Sequence, residues 1–318
     1  MIHIATKEQI FPTMQTQTAP TYNTDFTPPI GVPEIIAPGI MRVVAPNAGP
    51  YTFQGTNSYI VGFDEVVVID PGPEDDDHFA ALLSAIVGKK CKGVLLTHTH
   101  RDHSALAPRL AKALEVPLMF EGPHRPSRQL KMLERDPLKP SGHYGLKPEY
   151  VVREGSKIDL GEIGLIVHTT PGHCANHIAI GIEGRKELFT GDHVMGWSSS
   201  LIADPDGSLE DYFASLEKVI HLPHTCFLPA HGGPIKNGPE FASQLLCQRQ
   251  ARNKQIIAAL GSGPKWTLSL LKEIYPDIPI KVKPAALLTL NAHLQYLAAH
   301  SEIEASGLFW AKRYSAKM

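Results

Sequence analysis

The sequence predicts an α/β protein in which short buried strands alternate with amphipathic helices and chemically active side chains follow the strands. Apolar, β-branched runs end at turn residues, as Val66–Asp70 does before Pro71-Gly72. Apolar residues between such runs recur at helical spacing, as Phe79, Leu82 and Leu83 do. Of the 318 residues, 43% are hydrophobic and 19% are charged. That composition supplies a core and excludes a wholly disordered chain.

The predicted elements begin with an extended arm over residues 1–40, which are rich in Thr and Pro. A large α/β domain is expected over residues 41–238. Within it, strands are predicted at 66–70, 93–97, 164–169, 177–182, 187–190 and 226–229, and helices at 79–87, 106–114 and 209–220. A polar segment with five prolines at 121–149 interrupts the alternation and indicates an inserted loop.

The last part of the chain, residues 239–318, predicts a separate small domain. Helices are expected over 240–260, 266–275 and 284–300, followed by two short strands around Ser306-Gly307. Three helices followed by a hairpin indicate a winged helix. From Glu240 onward there are 10 Lys and Arg against 5 Asp and Glu, whereas the whole chain has a formal net charge of −2. This asymmetry indicates two parts with different partners.

Several protein classes are disfavoured by composition. The 4 cysteines form no C-x-x-C pair, which argues against a disulfide framework or a cysteine-type zinc finger. The N-terminus lacks the basic and apolar regions of a secretory signal. No run approaches the roughly 18 apolar residues of a membrane helix. We therefore expect a cytoplasmic protein with no membrane partner.

The strongest chemical signal is a histidine-rich segment that directly follows the predicted strand at 93–97. His98, His100, Asp102 and His103 place four potential metal ligands within six residues. Imidazole and carboxylate groups suit Zn²⁺, Mn²⁺ and Fe²⁺. Alternation along an extended chain puts His98 and His100 on one side. The next two side chains, at the turn into a helix, can then face a second ion.

Three more ligand-type residues follow later strands. They are His173 after the strand at 164–169, Asp192 after the strand at 187–190 and His231 after the strand at 226–229. Seven such residues suit a site for two metal ions. Asp192 is the acidic residue that could bridge the ions at the usual two-metal spacing of about 3.5–4 Å.

This arrangement, H-x-H-x-D-H followed by a distant His, Asp and His, resembles the metallo-β-lactamase superfamily over residues 41–235. The resemblance implies an αββα sandwich with a dinuclear centre. It implies one metal held by His98, His100 and His173, and a second held by Asp102, His103 and His231, with Asp192 bridging. It also implies that Asp70 supports the ligand loop without binding a metal, as an outer partner that fixes ligand orientation.

Differences between this sequence and particular groups of the superfamily narrow the resemblance to one of them. True β-lactamases carry Cys or Ser where Asp192 stands, and they are secreted. Hydroxyacylglutathione hydrolases share the seven ligands but have a different helical C-terminal domain. The sequence is more similar to β-lactamase-like hydrolases with a C-terminal winged helix, which include an endoribonuclease for single-stranded RNA. The segment QGTNSY at 54–59 resembles an early strand of that group. The subgroup resemblance also implies a homodimer.

These observations predict a hydrolase with two divalent metal ions, Zn²⁺ first and Mn²⁺ or Fe²⁺ as alternatives. A hydroxide bridging the ions would attack a carbonyl carbon or a phosphorus atom. Asp102 and Asp192 are expected to bind metal first and could also orient the water. His193 is a candidate to contact substrate or donate a proton, with a packed or ligand-supporting role as the alternative. The leading substrate is single-stranded RNA, cleaved at its phosphodiesters. One alternative is a small-molecule thioester or ester, and another is a nucleic-acid-binding protein with a vestigial metal site.

Overall fold

Two β-sheets packed face to face form the centre of the molecule. They are seen in a computed structural model that describes residues 19–132, 134–307 and 312–317. The first sheet has seven strands in chain order: β1 (Glu34–Ala37), β2 (Ile40–Val44), β3 (Asn57–Gly62), β4 (Glu65–Ile69), β5 (Lys90–Leu95), β6 (Leu118–Phe120) and β7 (Tyr150–Val151). Pairing is antiparallel from β1 to β4 and parallel from β4 to β7.

The second sheet has five strands, in the order β12-β11-β10-β9-β8. They are β8 (Lys157–Asp159), β9 (Gly164–Thr169), β10 (Ile178–Ile182), β11 (Glu187–Gly191) and β12 (Cys226–Pro229). Neighbouring strands are antiparallel except β11 and β12, which are parallel.

Strand β4 shows why the apolar runs lack alternation. Val67 and Ile69 face the second sheet and belong to the core between the sheets. Val66 and Val68 face outward, into a core formed with helices α1 (Asp76–Ala85) and α3 (Ala107–Leu114). Successive side chains of a strand point to opposite faces, so a strand covered on both faces needs apolar residues throughout.

The outer face of the second sheet is covered by helices α4 (Leu209–His221) and α5 (Gly238–Leu260). A short helix, α2 (Arg101–Ser104), lies within the histidine-rich segment of the first sheet. With helices on both outer faces, the two sheets form the αββα sandwich that the resemblance implied.

Helix α4 begins at a serine cap, which yields a first testable prediction. Ser208 is extended, and its hydroxyl accepts a hydrogen bond from the Asp211 backbone N–H at 3.2 Å. We expect Ser208→Ala to lower the free energy of unfolding by about 1 kcal/mol, because a helix N–H loses its acceptor. Denaturant unfolding measures this loss, with Ser84→Ala at an exposed position of α1 as the control. Equal unfolding free energies for the two variants would contradict the capping role.

The C-terminal unit has a core of its own, which includes Leu270, Leu290, Leu294 and Tyr314. Its sheet has three strands in the order β13-β15-β14. After α5 come β13 (Lys265–Trp266), α6 (Thr267–Ile274), a 3-10 turn (Ile280–Val282), α7 (Lys283–Ala299), β14 (Ile303–Ser306) and β15 (Arg313–Ala316). The helices and the hairpin lie where the sequence predicted them, and β13 is an addition.

The structure differs from the predicted domain limits at two places. Strand β1 pairs with β2 through Glu34 and Arg42, so the predicted extended arm contributes a strand to the first sheet. Helix α5 is shared between the units: Phe241 packs in the core under the second sheet, and Ile256 packs in the C-terminal core. Residues 1–18 of the arm and 308–311 of the predicted hairpin lie outside the described residues.

No helix in the described part of the chain is both long and apolar enough to cross a membrane.

Candidate metal centre

The seven predicted ligand residues meet at one edge of the sandwich, where strands of both sheets end. Strand β5 leads into the segment that carries His98, His100, Asp102 and His103. From the second sheet, β9, β11 and β12 lead to the remaining three, which are His173, Asp192 and His231. Ligand-type side chains far apart in the sequence are thereby brought within a few ångströms of one another.

The first group of histidines consists of His98, His100 and His173 and is called cluster A. The Nδ1 atom of His100 lies 3.1 Å from Nε2 of His98 and 2.9 Å from Nε2 of His173. The outward nitrogens have other partners. His98 Nδ1 lies 3.0 Å from the Thr97 hydroxyl, His100 Nε2 lies 3.0 Å from Asp206 Oδ2, and His173 Nδ1 lies 2.7 Å from the Leu201 carbonyl oxygen. When the outward nitrogens donate, the inward nitrogens present lone pairs.

Two of the three rings of cluster A are held neutral, as metal ligands must be, whereas for His100 the contact with Asp206 outweighs burial and raises the pKa. Burial, together with the neighbouring histidines, holds the pKa of His98 well below its ordinary value. Burial, together with His100, lowers the pKa of His173 to about 4. Two neutral rings therefore point lone pairs at a shared centre, and such an arrangement is stabilised by a metal ion.

The second group, cluster B, consists of Asp102, His103 and His231. Asp102 Oδ2 lies 3.7 Å from Nε2 of His103 and 3.5 Å from Nε2 of His231. The outward Nδ1 atoms lie 3.0 Å from Asp70 Oδ2 and 3.2 Å from the Gly55 carbonyl oxygen, respectively. Both Nε2 atoms are buried and have no hydrogen-bond partner within the described part of the chain. Buried nitrogens without partners are costly, and a metal ion would satisfy them.

Asp192 lies between the two clusters. Its Oδ2 atom is 3.6 Å from His173 Nε2 in cluster A and 3.5 Å from His103 Nε2 in cluster B. Its Oδ1 atom is 3.4 Å from His231 Nε2. Burial would raise the pKa of Asp192, but the nearby histidines outweigh burial and hold the pKa well below its ordinary value. An ionised carboxylate is thus positioned to contact an ion in either cluster.

The donors of these clusters fit two divalent cations. Imidazole nitrogens and carboxylate oxygens are the ligands that Zn²⁺, Mn²⁺ and Fe²⁺ use in proteins. Two groups of candidate ligands, His98–His173–Asp192 and Asp102–His103–His231, each converge within 4.8 Å. The assignment of individual residues to each ion remains a prediction.

Asp70 supports cluster B from outside. It follows β4 in a left-handed conformation, with φ of 48°. Its carboxylate accepts hydrogen bonds from the Thr97 backbone N–H at 2.7 Å and the Thr97 hydroxyl at 2.6 Å. It also lies 3.0 Å from His103 Nδ1. Asp70 therefore ties the end of β4 to the ligand segment after β5 and fixes the ring of one candidate ligand.

Asp206, which the sequence did not indicate, supports cluster A in a comparable way. Its side chain is fully buried, with Oδ2 3.0 Å from His100 Nε2 and Oδ1 2.8 Å from His124 Nε2. Burial would raise the pKa of Asp206, but the contacts with His100 and His124 outweigh burial and lower it. His124 comes from the insertion at 121–149, so that segment reaches the site. Neither residue lies in a ligand-type spacing, and their loops carry no periodicity that would have indicated the contact.

The ring of His193, which was predicted to act in catalysis, packs against helix α4. Its ring packs against Tyr212 with centroids 4.9 Å apart. Both ring nitrogens are buried and have no hydrogen-bond partner in the ranges that the structure describes. Burial lowers the pKa of His193 to about 3, so its ring is neutral. This packing favours a structural role, and the catalytic role stays a prediction.

Two face-to-face sheets flanked by helices, with histidine and aspartate clusters at one edge, define a class of α/β sandwich proteins built around a metal site. The family model described as "Metallo-beta-lactamase superfamily" matches residues 51–231, and the chain belongs to that superfamily.

Two curated relatives span most of the chain. A "Beta-lactamase-like protein 2 homolog" from Caenorhabditis elegans is 25% identical over 280 residues, which cover 85% of this chain and 88% of the relative. An "Atrochrysone carboxyl ACP thioesterase" from Paecilomyces divaricatus is 30% identical over 236 residues, covering 73% and 68%.

Among solved structures, a beta-lactamase domain protein from Burkholderia ambifaria superposes with a TM-score of 0.76 at 22% identity, covering 93% of this chain and 97% of that one. A metallo-beta-lactamase family protein from Thermus thermophilus gives a TM-score of 0.72 at 23% identity, covering 89% and 100%. These two likenesses show the fold.

Proposed function

We propose that the chain is a thioester hydrolase that uses two divalent metal ions, with zinc as the expected metal. The paired clusters around Asp192 support a metal-dependent hydrolase. The 30% identity to a protein named as an acyl-carrier-protein thioesterase supports the choice of thioester. The other relative bears only a β-lactamase-like name, which is neutral on substrate.

When bound, two divalent ions would lower the pKa of a water molecule to near neutrality and would offset the negative charge that develops on the carbonyl oxygen. The chain's own residues prepare the site for this chemistry. Asp70 and Asp206 orient the rings of His103 and His100, respectively. The Asp102 side chain is 30% exposed, against 9% for Asp192, so solvent reaches the clusters at Asp102. Orientation of the attacking water by Asp102 or Asp192 stays a prediction.

The position of helix α7 favours a thioester over RNA as the substrate. The order helix, strand, two helices and two strands, with sheet order β13-β15-β14, supports a winged helix for the C-terminal unit. In helix-turn-helix folds a recognition helix enters the groove of the nucleic acid. Here α7, the third helix, packs on the catalytic sandwich through Ala292 and through Tyr296, whose ring is 5.2 Å from that of Phe213. Its far end is also held there, because His300 Nε2 lies 3.0 Å from Glu210.

A substrate panel tests this proposal. Protein loaded with zinc or manganese is assayed by thiol release from acyl thioesters and by cleavage of labelled single-stranded RNA, with a chelated sample alongside. We expect metal-dependent thioester turnover and intact RNA. Metal-dependent RNA cleavage without thioester turnover would overturn the proposal in favour of the phosphodiesterase prediction. Retention of RNA without cleavage of either substrate by metal-loaded protein would favour the vestigial-site alternative.

A further inference from the structure

A cavity of about 400 Å³ lies between the candidate metal centre and the C-terminal unit. One wall is the segment 195–201, which follows Asp192 and β11, and the opposite wall comes from α5, the 3-10 turn and α7. Leu201 lines this cavity, and its carbonyl oxygen accepts a hydrogen bond from Nδ1 of His173 at 2.7 Å. The cavity therefore begins one residue away from cluster A.

The lining of this cavity is positively charged. Arg249, Arg252 and Lys281 line it, and no Asp or Glu does so among the described residues. This contrasts with the whole chain, in which acidic residues outnumber basic ones by 32 to 30. Guanidinium and ammonium groups bind phosphate and carboxylate oxygens through charge-assisted hydrogen bonds. The lining thus fits an oxyanion rather than a cation or a neutral group.

Two of the lining side chains are buried and hold polar atoms without partners. Arg249 is 4% exposed and donates to the Ser200 carbonyl oxygen, but its Nε has no partner in the described ranges. His293 is fully buried and donates from Nδ1 to Asn253 Oδ1 at 2.6 Å, so its Nε2, likewise unpartnered in those ranges, is an acceptor that suits a hydroxyl or amide N–H of a ligand, and the oxyanion is left to the cationic side chains. Leaving such groups unsatisfied costs free energy, which a bound polar ligand would offset.

The rest of the lining is aromatic and apolar. Tyr22, Tyr51, Trp197 and Tyr275 contribute rings. The guanidinium of Arg252 lies 4.3 Å from the centroid of Tyr275, and it also donates to the Ile274 carbonyl oxygen at 3.0 Å. These contacts hold the cation in place before a ligand arrives. A ligand that fits has an oxyanion and an extended, partly apolar chain.

We propose that this cavity binds the oxyanion-bearing end of the substrate while its thioester lies at the metal clusters. The inference rests on the proposed thioester hydrolysis and adds the substrate class: a thioester with a phosphate or carboxylate on its thiol portion. A coenzyme A thioester supplies phosphates, and a glutathione thioester supplies carboxylates. Both present the same oxyanion chemistry to Arg249, Arg252 and Lys281.

The test uses metal-loaded, full-length protein and three thioesters with the same acyl group. Their thiols are coenzyme A, glutathione and neutral N-acetylcysteamine. Lys281→Glu reverses one cavity charge at an exposed position, and Lys283→Glu does the same at an exposed lysine that does not line the cavity. We expect Lys281→Glu to raise the ratio of KM for the preferred anionic thioester to KM for the neutral one by about 10-fold at low salt. The effect should shrink as salt rises.

The anionic thioester that shows the larger change identifies the source of the oxyanion. An unchanged KM ratio in Lys281→Glu, or an equal change in Lys283→Glu, would overturn the inference. If the unmodified protein hydrolyses no thioester, the proposed function is wrong, and the role of the cavity is then tested separately by calorimetric titration with coenzyme A and glutathione. Binding that is weakened only by Lys281→Glu would support an oxyanion site in the cavity. The absence of binding would overturn that site.

Discussion

Asp192→Asn is expected to lower turnover by more than about 100-fold, which exceeds the usual effect of removing a residue that only supports a metal ligand. The carboxylate lies within 3.6 Å of a candidate ligand nitrogen of cluster A and within 3.5 Å of nitrogens of cluster B. An amide keeps the shape but removes the negative charge shared between the clusters. Both ions should therefore bind more weakly. Metal content after dialysis and thioester turnover measure the two effects on one preparation.

The matched control for this variant is Asp64→Asn. Asp64 is exposed and precedes β4, at the end of the strand opposite to Asp70. It should keep both metal content and turnover. If Asp192→Asn kept its ions and its turnover as well, Asp192 would not be part of the centre.

Asp206→Asn is expected to weaken metal binding by about 10- to 100-fold, the range typical of outer partners of a metal ligand. Asp206 contacts His100 of cluster A and His124, and it contacts no member of cluster B. Without the carboxylate, His100 loses the acceptor that keeps Nδ1 directed at the other two rings. The loss should therefore fall on one ion: a competition titration with a metal chelator should show one weakened site and one unchanged site.

The control is Glu187→Gln, which changes a buried acid to an amide at the start of β11, away from the metal centre. It removes the ion pair with Arg185 at 3.1 Å. We expect lower stability without a change in metal affinity. Equal weakening of both ions in Asp206→Asn would show that the substitution acts through general destabilisation, and unchanged affinity would show that His100 is held without Asp206.

Local sequence patterns predicted the central elements well, because burial on both faces leaves a strong signal. Val66 to Val68 are apolar in succession since each faces a core on one side or the other. Strands β1, β2, β6, β7, β8 and β13 were not predicted. They comprise 2 to 5 residues each. Such short segments become strands through pairing with a neighbour, and their own composition carries little information.

In the candidate site, too, local sequence patterns predicted some residues, and others are placed by contacts between distant parts of the chain. His98, His100, Asp102 and His103 stand close together in the sequence, and their spacing alone indicated a metal site. Asp206 could not be predicted because its role depends on a contact between loops, and no periodic pattern in the sequence indicates such a contact. The packing of α7 on the sandwich was also not predicted. Leu290 and Leu294 lie in the C-terminal core, whereas the contact with the sandwich rests on Ala292 and Tyr296, which form no clear apolar pattern.

Asp192 is expected to join clusters A and B into one dinuclear centre. Electron paramagnetic resonance of manganese-loaded protein, with metal content determined on the same sample, tests this expectation. We expect about two Mn²⁺ per chain with an exchange-coupled spectrum, because ions sharing a carboxylate lie about 3.5–4 Å apart. Signals of isolated Mn²⁺ at full loading, or a single ion per chain at saturation, would contradict it.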